Sequence, residues 1–163
     1  MSAESEPQPN LTRVVRCRKG ELGEVRQILE GSPEASDWSA SALAAIYEQH
    51  PTHFLVGWRS KEIAGFISGR RAADEGEILN LAVKAQFRRE GVGKALLKAL
   101  VEQFIGENVA QVFLEVRESN RTAVSFYESV GFLEIGRREG YYREPVEAAL
   151  VLGLKVLSRA GTT

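Results

Sequence analysis

From Glu77 to Phe104 the chain runs without a break through a strand-like segment, a short loop with two glycines and an amphipathic helix. No other stretch narrows the possible folds as far. Glu77 to Val83 (EILNLAV) reads as a strand, and the period then changes. Leu96, Leu97, Leu100, Val101 and Phe104 form one apolar stripe at helical spacing. Between them lies Arg88-Arg89-Glu90-Gly91-Val92-Gly93. The first turn of a helix has backbone N–H groups with no intrahelical partner, and with the helix dipole these attract anions. Gly91 and Gly93 lack a Cβ, so a diphosphate can come close to the backbone. Arg88, Arg89 and Lys94 add positive charge. The pattern Arg/Gln-x-x-Gly-x-Gly/Ala is weak alone and takes its weight from the strand before it and the helix after it. It fits neither a Walker loop nor the dinucleotide fingerprint. The competing reading is a glycine-rich turn that only starts a helix.

The rest of the chain supplies a sheet for this unit. Thr12 to Cys17 reads as a short strand, and Gly20 to Glu30 as a helix carrying Leu22, Val25, Ile28 and Leu29. Asp37 or Ser39 caps a second helix with Leu43, Ile46 and Tyr47, which stops before Pro51. His53 to Trp58 and Ile63 to Ala72 form a hairpin across Arg59-Ser60-Lys61-Glu62. Val109 to Val116 is nearly continuously apolar, as suits a central strand. Asn120 starts a helix through Val130, with Gly131 at the left-handed stop. Phe132 to Tyr141 and Ala148 to Val156 close the order β-α-α-β-β-β-α-β-α-β-β. This predicts an α/β (α+β) domain with one mixed, mostly antiparallel sheet of about seven strands, flanked by about four helices. Its bounds are 12–157, with a polar, disordered lead-in at 1–11 and a tail at 158–163.

Composition removes several function classes. The formal net charge is −1, which gives no field for nucleic acid. One cysteine and two histidines leave no disulfide framework and argue against a zinc site, so no metal is expected. No apolar run of about 18 residues and no signal-peptide pattern occur, so the expectation is a soluble cytoplasmic monomer away from membranes.

Three blocks in order, EILNLAVKAQFRREGVGKALL, FLEVRESNRTAVSFYESVGF and GRREGYY, closely resemble the GNAT acetyltransferases. Within them the chain resembles the RimI-type enzymes, which acetylate the N-terminal alanine of a small-subunit ribosomal protein. The resemblance covers about Thr12 to Val156. It implies acetyl-CoA as co-substrate and a peptide or protein N-terminus, ribosomal by this likeness, as partner. By position it places Leu81, Ala82 and Val83 beside the acetyl-pantetheine arm, added as a strand would be. Arg89 to Lys94 (Arg89, Glu90, Gly91, Val92, Gly93, Lys94) would wrap the pyrophosphate with Arg88 adding charge, and the Asn120 amide would meet the cofactor arm. Glu115 matches the general base and Tyr127 the general acid.

Amide formation needs an amine that loses a proton, an oxyanion that is stabilised and a thiolate that is protonated. Glu115 stands among apolar neighbours on a buried strand, where an unpaired carboxylate is costly. Its structural alternative is an ion pair with Arg117 or an arginine of a neighbouring strand. Glu77 and Glu75 are the alternative bases. Tyr127 shares a helical face with Ala123, Val124 and Val130, so ordinary core packing is its alternative. The Val83 N–H is the candidate oxyanion donor. Cys17 has nothing basic placed beside it and reads as structural rather than as an acyl carrier.

On the acceptor side the resemblance points to Trp38, Tyr141 and Tyr142, with hydrophobic packing as the alternative. Asp37 replaces the family's proline before Trp38, and Ala148 replaces an acidic residue after Glu147. Asp74, Glu75, Glu77, Glu144 and Glu147 would suit a basic peptide if they lined one groove. A small amine or lysine side chain remains the alternative acceptor, and a non-catalytic acyl-CoA-binding module the alternative class.

Overall fold

In the computed structural model, the described residues run from Leu11 to Val156. All but Leu11 of the expected lead-in at 1–11, and the tail at 158–163, lie outside them. Seven strands appear in the expected order: β1 (Thr12–Arg16), β2 (Phe54–Arg59), β3 (Glu62–Ala72), β4 (Glu75–Val83), β5 (Gln111–Arg117), β6 (Leu133–Tyr142) and β7 (Glu147–Lys155). Four α-helices join them: α1 (Leu22–Glu30), α2 (Ala40–Gln49), α3 (Val92–Gly106) and α4 (Arg121–Ser129). The strands form one sheet in the order β1-β2-β3-β4-β5-β7-β6. Pairings β1–β2, β2–β3, β5–β7 and β6–β7 are antiparallel, whereas β4–β5 is parallel.

Two compact units make up the chain. One holds the described residues up to Ser68 together with Asn80–Leu100. Its core gathers Val25, Ile28 and Leu29 of α1, Leu43 of α2, and Phe54, Val56, Ile63, Phe66 and Ala82 of the strands. The apolar residues of α1 recur at helical spacing, and one face is buried as the sequence predicts. Ser39 rather than Asp37 caps α2, accepting a hydrogen bond from the Ala42 N–H at 3.2 Å. The first strand ends at Arg16, and β2 begins at Phe54 because Pro51–His53 takes a 3-10 turn. Gly65 lies so close to β4 that a Cβ there would meet the Ala82 carbonyl oxygen at 2.8 Å.

The second unit holds Gly69–Leu79 and the described residues from Val101 onward. Along β5, Val112, Leu114 and Val116 are buried while Gln111, Phe113, Glu115 and Arg117 alternate on a half-exposed face. The strand is central as expected, but its burial alternates, and this is what leaves Glu115 accessible. β5 pairs with β7 along its whole length, from Gln111–Lys155 to Arg117–Ala149. Its ladder with β4 holds only three pairs, ending at Glu77–Phe113. Gly131 follows α4 with φ 104°, the left-handed stop the sequence predicts.

Candidate active site

The glycine loop sits where β4 hands over to α3. Arg89 and Gly91 both take left-handed backbone angles, φ 62° and 85°. A Cβ at Gly91 would meet nothing within 4 Å, so the backbone there is open to a ligand. The Ala95 N–H makes the first helical bond to the Gly91 carbonyl at 3.0 Å. The N–H groups of Val92, Gly93 and Lys94 therefore stand in the unpaired first turn, the donor set a diphosphate needs. Arg89 and Lys94 are exposed beside it. These features fit a pyrophosphate.

Arg88 is placed differently from the expectation. Its Nε donates to the Val83 carbonyl at 3.2 Å, and its Nη2 to the Gly31 carbonyl at 3.3 Å and the Ser32 Oγ at 3.4 Å. The side chain is thus turned to the segment after α1 rather than to the loop. Behind the loop stands a residue the sequence reading missed. Arg59 is buried, its guanidinium lies 5.7 Å from the Phe87 ring centroid, and its Nη2 is 3.7 Å from Glu90. A buried guanidinium next to the loop's one carboxylate offsets a charge that would repel a phosphate.

Glu115 and Tyr127 belong to the other unit. The Glu115 side chain is 15% exposed and lies 3.2 Å from the Arg138 Nε, while Tyr141 hydrogen-bonds to it. The ion pair named as the structural alternative is made neither with Arg117 nor with an arginine of an adjacent strand, but with Arg138 of β6, one strand beyond β7. Arg117 pairs instead with Glu147 at 2.9 Å and lies 4.2 Å from the Tyr142 ring centroid. Glu147 also accepts from the Ser119 N–H at 3.2 Å and the Ser119 hydroxyl at 3.0 Å; the Arg117 bond first, and then those from Ser119, hold its carboxyl below its ordinary range. Glu77 is tied to Arg70 at 2.5 Å, and Glu75 is exposed. Of the acidic residues suggested for a basic peptide, Glu77 and Glu147 are therefore already paired. Phe113, two residues before Glu115, lines a shallow, mostly apolar cleft of about 180 Å³ with Glu75, Gln111, Ile135 and Val151.

Tyr127 is buried between the rings of Phe126 (5.1 Å) and Phe132 (5.4 Å). Burial holds its hydroxyl well above the ordinary tyrosine range, so the group keeps its proton at neutral pH. The same burial makes it a weaker acid than an ordinary tyrosine. The Glu115 hydrogen bond raises Tyr141, whereas burial raises Tyr142. Asn120 caps α4, its Oδ1 accepting from the Ala123 N–H at 3.2 Å. The expected amide contact with the cofactor arm has to share the side chain with this cap. Trp38 packs against Phe66 at 6.5 Å between ring centroids, whereas Tyr141 is 48% exposed. Cys17 is buried and its thiol is pushed up to about 12, first by burial and then by Glu21 and Glu24. It stays protonated at neutral pH and is a poor nucleophile there.

Comparison with known proteins decides the family. The sequence model described as "Acetyltransferase (GNAT) family" matches residues 22–132. The chain belongs to this GNAT family. This GNAT chain is 32% identical over 130 residues to the [ribosomal protein bS18]-alanine N-acetyltransferase of Escherichia coli K12, covering 78% of this chain and 87% of that one. The crystal structure of the ribosomal-protein-S18-alanine N-acetyltransferase from Escherichia coli superposes with a TM-score of 0.79 at 28% identity, covering 93% of this chain and 97% of the other. Ard1 from Thermoplasma volcanium gives a TM-score of 0.83 at 27% identity over 90% and 98%. The protein is an acetyl-CoA-dependent N-acetyltransferase with a single GNAT fold. No helix among the described residues is long and apolar enough to cross a membrane.

Two signals for the missed residues were present in the sequence. Arg138 lies in GRREGYY, on a strand two places from β5, and Arg59 ends an otherwise apolar strand. Neither partner could be assigned without knowing the strand order.

Proposed function

We propose that this enzyme transfers the acetyl group of acetyl-CoA to the N-terminal α-amine of a protein, with an alanine-initiated ribosomal protein as its acceptor in the cytoplasm. The observation that carries the acceptor is the 32% identity to the bS18-alanine N-acetyltransferase over 87% of that protein. Val92, Gly93 and Lys94 offer their N–H groups to the pyrophosphate, with Arg89 and Lys94 adding charge. The edge of β4 at Leu81, Ala82 and Val83 takes the pantetheine amides as a strand would. The family likeness assigns the Asn120 amide, at the head of α4, to the same arm.

The neutral amine attacks the thioester carbonyl carbon, and its proton passes to Glu115 directly or through one water. The Val83 N–H stabilises the oxyanion. When the C–S bond breaks, the electron pair leaves with sulfur, and Tyr127 donates the proton that forms the CoA thiol. Arg138 and Tyr141 hold the Glu115 carboxylate in one orientation. The family likeness assigns Tyr141, Tyr142 and Trp38 to the acceptor peptide.

The test is acetyl transfer from acetyl-CoA to peptides that differ only in their first residue, followed by mass spectrometry. Alanine-initiated peptides should be modified at the α-amine. Transfer to small amines or lysine side chains, with none to alanine-initiated peptides, would overturn the acceptor reading and leave the transferase in place.

A further inference from the structure

Asn80 is buried, 6% exposed, on β4 immediately before the Leu81–Val83 edge. A buried amide must satisfy both its donor and its acceptor side. Here the two sides serve different parts of the chain. Its Nδ2 donates to the Ser36 carbonyl at 2.9 Å, and its Oδ1 accepts from the Leu81 N–H at 3.1 Å. Ser36 lies in the segment between α1 and α2, two residues before Trp38. Arg88 makes a second connection between the same parts. It bonds to the Val83 carbonyl on the strand side and to the Gly31 carbonyl and Ser32 Oγ on the segment side, with Glu34 at 4.0 Å. Residues 31–38 are thus fixed at two points to the end of β4 whose edge takes the acyl donor.

We propose that Asn80 is a positioning residue that sets the acceptor segment carrying Trp38 against the donor strand, with Arg88 as its second anchor. This rests on the assignment of Trp38 to the acceptor side and of Leu81–Val83 to the donor side. Asn80 touches neither substrate. The Ser36 bond holds the segment, and the Leu81 bond ties that hold to the strand whose register the thioester depends on. Loss of the Ser36 bond alone loosens the acceptor side and leaves the donor side as it was.

The variant Asn80→Asp separates the two bonds. A carboxylate has nearly the same shape, still accepts from the Leu81 N–H, and cannot donate to the Ser36 carbonyl. In a Trp58→Phe background Trp38 is the sole tryptophan, so its emission reports on the segment. Asn80→Asp should shift that emission to the red. It should raise KM for an alanine-initiated peptide about tenfold, the effect of one lost buried hydrogen bond. The Kd for CoA should stay within about twofold, which also shows that the variant is folded. Asn80→Ala, which loses both bonds, should raise both constants. Arg88→Met, at an exposed side chain that does not threaten folding, should move the emission and the acceptor KM in the same direction. An unchanged acceptor KM in Asn80→Asp, or a CoA Kd that rises as much as the acceptor KM, would overturn the proposal. If the wild-type enzyme takes another amine, the same KM and emission comparison is made with that amine. Failure of the alanine assignment is then distinct from failure of the tether.

Discussion

Replacing Gly65 with alanine tests how tightly β4 is held at its donor edge. A methyl at this site meets the Ala82 carbonyl oxygen at 2.8 Å, Leu96 Cδ1 at 3.2 Å and Val83 Cγ2 at 3.2 Å. Comfortable carbon contacts begin near ~3.5 Å. The leucine and valine side chains can turn aside, but the carbonyl is backbone and can only move with its strand. Overpacking of this kind costs about 1–3 kcal/mol, and the backbone contact argues for the upper half of that range. For a chain of this size, 1 kcal/mol moves Tm by about 2–4 °C. The melting temperature should therefore fall by about 4–12 °C, measured by calorimetry or circular dichroism. Moving Ala82 and Val83 should also raise the acetyl-CoA KM, because those residues form the edge assigned to the pantetheine arm. Gly23→Ala is the control in the same unit. It lies in α1, a Cβ there meets nothing within 4 Å, and alanine should stabilise by about 0.4–1 kcal/mol. A Gly65→Ala protein with an unchanged Tm would refute the steric reasoning. A lowered Tm with an unchanged acetyl-CoA KM would leave the packing correct and remove Ala82 and Val83 from the donor edge.

Three further outcomes are expected. Tyr127→Phe should lower kcat about 100-fold, the low end for a lost general acid, with CoA binding unchanged; an undiminished rate would mean that the thiolate leaves without Tyr127. Glu90→Gln should tighten CoA about twofold to fivefold by removing the one negative charge from the phosphate loop. Weaker CoA binding would show instead that the 3.7 Å contact with Arg59 shapes the loop. Cys17 makes stability fall in alkali, because the unfolded thiol ionises near 9.0 while the folded one keeps its proton to about 12. Its contribution is intact below pH 9 and is lost as pH rises toward 12. Between pH 8 and pH 10 the wild type should lose about 1.4 kcal/mol more than Cys17→Ala in denaturant titrations, and equal losses would refute this sign and size.

Element order, the glycine loop between β4 and α3, and the family were all legible in the sequence alone. Each depends on spacing along the chain: apolar residues at helical period in α1 and α3, glycine where Gly131 takes φ 104°, and three motif blocks in series. The sequence left the caps and partners open, since Ser39 and Asp37 are both good caps and only the local backbone picks one. The tertiary structure decided what the charged side chains do. Arg138 reaches Glu115 because β7 lies between β5 and β6, so residues 23 places apart in sequence stand on one sheet face. Arg88, which spacing assigns to the phosphate loop, is turned to Gly31 and Ser32. Asn80 reads as one polar residue in an apolar strand until the segment after α1 brings the Ser36 carbonyl within 2.9 Å. Hydrophobic period is a property of neighbours along the chain, whereas an ion pair or a buried amide bond depends on residues that only folding brings within about 3 Å.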